Sequence, residues 1–113
     1  GHKKVSQMLV RAGANVHATD NGGFTPLSRS VGRGHVGVSR MLVEAGADIN
    51  ATENVMGNTP LHWSADHGHV EVSQMLVGAG ANVDATNKYG ATPLHRAADN
   101  NLLDVSQMLV GAG

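Results

Sequence analysis

Apolar positions in this chain come in short bursts separated by polar, glycine-rich stretches. In one burst they fall at Val70, Val72, Leu76 and Val77, a spacing that suits a helix burying most of its girth. The hexapeptide VSQMLV stands at 5–10, 72–77 and 105–110, and VSRMLV at 38–43. This pattern predicts helices over roughly 36–44, 70–78 and 103–110. A second, shorter helix precedes each. Thr25-Pro26, Thr59-Pro60 and Thr92-Pro93 are helix starts, because threonine caps free N–H groups and proline at the first helical position gives up no bond. Gly34 and Gly68 end these first helices, with Asn101 in the same place of the last unit.

The chain is therefore one unit written about three and a half times. Thr25-Pro26-Leu27-Ser28 returns as Thr59-Pro60-Leu61-His62 and as Thr92-Pro93-Leu94-His95, at spacings of 34 and 33 residues. RAGANVHAT, EAGADINAT and GAGANVDAT follow the first three bursts. So short a helix pair cannot bury its apolar face alone and becomes stable only against copies of itself, which makes a solenoid.

TPLH, the GHVEV-type helix junction and AGADINA at this period resemble the ankyrin repeat along essentially the whole chain. The resemblance implies an all-α solenoid of stacked antiparallel helix pairs with projecting β-hairpin-like loops. One domain, 1–113, would hold a partial repeat at 1–17 and repeats at 18–50, 51–84 and 85–113. It also implies a non-catalytic role, binding another protein on the concave face formed by loop tips and first helices.

Several positions depart from the family pattern. Ser28 replaces the motif histidine, Ser30-Val31 replaces two alanines, and Gly32 and Gly37 lie inside helices. The unit at 25–50 is thus expected to be the softest internal part. Ser6, Ser39, Ser73 and Ser106 stand where the family has valine or alanine; a helical serine is tolerable there if it bonds back to the carbonyl four residues earlier. One extra residue at 53–57 accounts for the spacing of 34. These irregularities argue against an idealised consensus design, whereas the near-identical VSQMLV copies favour recent duplication or engineering; an engineered or structural array without a dedicated partner is the alternative reading. The chain opens within a unit, leaving Val5, Leu9 and Val10 with an uncovered side, and neither end carries a polar cap. A fragment of a longer array is expected, or else copies that stack end to end.

Composition narrows the classes. Only Phe24, Trp63 and Tyr89 are aromatic, and the absence of cysteine excludes disulfides and thiol chemistry. No apolar run approaches the ~18 residues of a membrane span, and no signal-peptide pattern opens the chain; an intracellular protein is expected. A net charge of −1 argues against nucleic acid as a partner. The charge is unevenly spread, +4 over 1–45 (six Lys/Arg, two Asp/Glu) and −5 over 46–113 (two and seven). Chance drift between repeats explains this; partner steering or head-to-tail stacking would use it.

Residues 62–69, HWSADHGH, look like a metal site. Comparison between units says otherwise. His62 recurs as His95, and His69 as His35 and His2, so both types belong to the framework; in the family the TPLH histidine bonds to loop backbone and the Gly-His pair caps the helix junction. His62, Asp66, His67 and His69 are not expected to converge as the three or four ligands of zinc would. Neither metal nor cofactor is implied. No serine has a histidine and an acid placed to activate it, and no phosphate-binding glycine loop follows a strand. Asn50 shares its place with His17 and Asp84; the family sometimes hydroxylates asparagine there, although a polar turn residue is the simpler account. Asn50-Ala51-Thr52 matches a glycosylation sequon by coincidence.

Positions that vary between units are open to binding. They give a candidate surface of Phe24, Val55, Met56, Asn58, Lys88 and Tyr89 from the loops. From the first helices come Arg29, Arg33, Trp63, Asp66, His67, Arg96, Asp99 and Asn100. Trp, Tyr and Arg are enriched in binding hot spots. The plainer account has Phe24 and Tyr89 shielding loop backbone and Trp63 packing on a neighbouring helix.

Overall fold

A computed structural model describes residues 16–99 and 102–112. Six helices follow in order: α1 (Pro26–Gly32), α2 (Val36–Glu44), α3 (Pro60–Asp66), α4 (Val70–Gly78), α5 (Pro93–Asp99) and α6 (Leu103–Ala112). Each threonine cap forms as expected. Thr25 Oγ1 accepts the Ser28 N–H at 3.1 Å, Thr59 Oγ1 that of His62 at 3.3 Å, and Thr92 Oγ1 that of His95 at 3.2 Å. His62 and His95 complete the box in reverse, their Nδ1 accepting the Thr59 and Thr92 N–H, each at 3.0 Å. Such a cap contributes about 1 kcal/mol.

Gly34 and Gly68 end α1 and α3 at φ of 74° and 72°, the left-handed region that side chains disfavour. The turn they allow satisfies two orphan carbonyls: Gly34 and His35 donate to Val31 and Ser30, Gly68 and His69 to Ala65 and Ser64. The same motif closes α2 and α4 at Gly46 and Gly80. Asn101, and the leading half repeat at 1–15, lie outside the described residues.

α1, α3 and α5 pack in one row and α2, α4 and α6 in a second. Between the rows runs a core of Leu27, Val31, Leu61, Ala65, Val72, Leu76, Ala97, Val105 and Leu109, without an aromatic residue. Two polar contacts sit inside it. Ser73 Oγ lies 2.8 Å from the His69 carbonyl, the expected back-bond, and 2.7 Å from Ser64 Oγ. Ser39 lies 2.8 Å from Ser30 Oγ, which donates to the Leu27 carbonyl. Serine on the second helix is therefore tolerated because a serine on the first helix faces it. The last unit has Ala97 in that place. On α6, Leu103 and Val110 are both 65% exposed, whereas their counterparts Val70 and Val77 on α4 are half-buried.

The loops turn on one acceptor each. Asp20 Oδ1 takes the N–H of Gly22 and Phe24, and Asn87 Oδ1 that of Tyr89 and Ala91. In the loop with the extra residue the equivalent position is Glu53. It is one methylene longer, 2% exposed, and collects the N–H of Val55, Met56 and Asn58. Adjacent loops are joined by Asn54 N–H to the Gly22 carbonyl at 2.7 Å and Lys88 N–H to the Met56 carbonyl at 2.9 Å. Among the described residues the loops fold back as hairpins do but form no strand. None of the helices is long and apolar enough to cross a membrane.

Candidate binding surface

The first helices share one face with the loops, and five of the expected residues meet there. The Phe24 and Trp63 rings touch across two repeats, with centroids 5.5 Å apart and planes at 48°. The Arg29 guanidinium lies 4.3 Å above the Phe24 ring, a cation–π contact, and its far side pairs with Asp20. That ion pair, then the Phe24 N–H, hold the Asp20 carboxyl below the usual carboxylate range. His67 follows Trp63 by one turn, its Nδ1 donating to the Trp63 carbonyl at 2.8 Å. Phe24, Ser28, Arg29, Gly32, Arg33, Trp63 and His67 line a half-open cavity of about 220 Å3. Trp63 Nε1 is buried and has no hydrogen-bond partner among the described residues.

Further along, Arg96 donates to Asp66 at 2.7 Å, bridging α5 and α3. Val55 and Tyr89 stand 67% and 76% exposed at the loop tips. Lys88 Nζ folds back on the Asn54 carbonyl, and Met56 is half-buried. Asn100 and the Asp99 side chain lie outside the described residues.

One expectation is corrected. Asn58 is not a contact residue: it is 3% exposed, and its Oδ1 accepts Asn87 Nδ2 at 2.9 Å. An amide there ties two loops together instead of reaching solvent. Within 62–69 two of the histidines meet. His67 and His69 stack, with centroids 5.7 Å apart and planes within 6°. Parallel rings cannot turn two nitrogens on one ion, and no group of three or more potential ligands forms among the described residues.

His62 and His69 each bond to backbone of a neighbouring repeat, whereas neither His35 nor His69 caps its second helix through its side chain. His62 is fully buried and its Nε2 lies 2.8 Å from the Ala91 carbonyl of the next loop. Nδ1 accepts from Thr59, so the proton sits on Nε2 and the ring is a neutral donor. Burial lowers the His62 pKa below 6.5, the nearby Arg96 charge lowers it too, and the Ala91 carbonyl opposes both. His69 Nε2 reaches the Gly32 carbonyl at 3.3 Å, and its ring fills the space that a Cβ at Gly34 would need. Asn50 is exposed, with its Oδ1 accepting the Asn82 N–H at 3.0 Å. Ser28 and Asp20 were missed as parts of the surface. Asp20 was identifiable, since it holds the place of Glu53 and Asn87.

Stacked helix pairs, capped at Thr-Pro and clamped loop to loop by a buried histidine, define a repeat solenoid with one side-chain-rich face. Two family models match: ankyrin repeats (three copies) over residues 52–113 and the ankyrin repeat over 22–54. The chain belongs to the ankyrin repeat family. Proteins of this family are generally protein–protein interaction modules and typically non-catalytic. No curated protein matches the chain.

Proposed function

We propose that the chain binds a protein partner on the concave face formed by its first helices and loop tips, and performs no catalysis there. The observation that carries this reading is the Phe24–Trp63–Arg29 cluster. Three residue types enriched in interfaces meet at a junction between repeats, beside a cavity, at positions the framework leaves free to vary. Capture of partners by the chain and by a folded Trp63→Ala, Tyr89→Ala, Arg96→Ala variant tests it. Partners lost from the variant support the reading; the same partners on both contradict it.

A second reading, end-to-end association of copies, is favoured by the exposed Leu103 and Val110 on α6. Sedimentation at two salt concentrations tests this, with a salt-independent monomer as the contrary result. Exposure of Asn50 suits its hydroxylation; an unmodified residue in mass spectra of protein from its native cell would exclude that.

A further inference from the structure

The concave face is not uniform, and its most built part has a definite chemistry. The cavity of about 220 Å3 falls below the roughly 300–1,000 Å3 of pockets that take small molecules. It suits a single side chain. Its wall is aromatic, from Phe24 and Trp63, and its rim is cationic, from Arg29 and Arg33 on α1. Arg29 is already fixed, stacked on Phe24 and tied to Asp20, whose carboxylate is itself held by the Gly22 and Phe24 N–H groups. Its position is therefore partly set before any partner arrives, which lowers a cost that binding would otherwise carry. Arg33 is exposed at the end of α1 and has no carboxylate partner among the described residues. The acids further along do not extend this rim, since Asp66 is engaged by Arg96.

We propose that an acidic segment of a protein partner occupies this end of the groove. One of its apolar side chains seats in the cavity against Phe24 and Trp63, and a carboxylate of the same segment pairs with Arg33. This rests on the concave face being the binding surface. Nucleic acid fits less well. Phe24 and Trp63 are in mutual contact, leaving a wall and not a slot for a base.

Gly32 allows the cavity to be filled without removing a contact. A Cβ built there meets nothing within 4 Å, the residue is helical, and leucine is a better helix former than glycine. The probes are short random peptides selected on the immobilised chain, then synthesised with a fluorophore for affinity measurement. The expected peptides carry Asp or Glu beside Leu, Ile or Phe. Gly32→Leu, folded by circular dichroism, abolishes their binding. Arg33→Glu weakens it more than about tenfold by juxtaposing like charges, and added salt weakens binding to the parent chain. Neutral or basic peptides that still depend on an open Gly32 would overturn the acidic segment but leave the concave face in place. Peptides indifferent to both Gly32→Leu and Trp63→Ala would overturn both. Tighter binding of a single-stranded oligonucleotide than of any peptide overturns the proposal in favour of nucleic acid, and a selection yielding no peptide also overturns it.

Discussion

His62 of one repeat donates its Nε2–H to the Ala91 carbonyl of the next at 2.8 Å, while its Nδ1 accepts the N–H of Thr59 at 3.0 Å. One neutral imidazole thus caps its own helix and clamps the following loop. Protonating Nδ1 would set two donors against each other. The folded pKa is lowered, first by burial, so between the unfolded value of about 6.5 and the folded one the unfolded chain binds the extra proton. The stability His62 contributes is complete above about pH 6.5 and is lost as pH falls below it. Urea unfolding across that range is expected to show a decline that is smaller in His62→Gln. An equal decline in both would assign the effect to other histidines.

Glu53 and the extra loop residue are a matched pair. Glu53→Ala leaves the N–H groups of Val55, Met56 and Asn58 without their acceptor and is expected to cost about 2–3 kcal/mol. Glu53→Asp, too short for this loop, should cost less than that but remain clearly unfavourable. Combining it with deletion of Val55 restores the acid and loop length found at Asp20, and stability should recover beyond the sum of the single changes. A double-mutant cycle by chemical denaturation reads the coupling, and additive effects would show that the two are unrelated.

Ser64 and Ser73 satisfy each other within the core. Removing one hydroxyl, as in Ser73→Ala, is expected to cost about 1 kcal/mol, whereas Ser64→Ala together with Ser73→Ala should cost no more than the single change. In the last unit Ala97 holds the place of Ser64, so one hydroxyl is already absent there. Thermal unfolding of the three variants decides it.

The repeat at 18–50 lacks the histidine clamp. Ser28 bonds only within its own turn, to Thr25, and does not reach the next loop as His62 does. Gly32 and Gly37 each remove about 0.8–1.0 kcal/mol of helix propensity relative to alanine. Amides of 27–44 should therefore exchange faster than those of 61–77. Equal or greater protection in 27–44 would falsify this.

The sequence carried the fold almost completely, because each helix start and stop has a local chemical cause repeated in every unit. Thr-Pro caps, left-handed glycines and the VSQMLV burst give the helix bounds to within about two residues. The surface was harder to read. Variation between units separated framework from free positions, and it led to Phe24, Arg29, Arg33, Trp63 and His67. It failed at Asn58, where variability hides a buried loop-to-loop amide bond rather than exposure. The stack of His69 on His67 across the Gly68 turn was not foreseen either. Both misses come from contacts across a turn or between repeats, which no single unit's pattern contains.

Photo-crosslinking in the native cell tests the binding face most directly. A photoreactive residue at His67 lies on the cavity side, and one at Gln74 lies exposed on α4, in the second helix row. A partner is expected to crosslink from His67 and not from Gln74, and to be lost on Gly32→Leu. A partner crosslinked from Gln74 alone would contradict it.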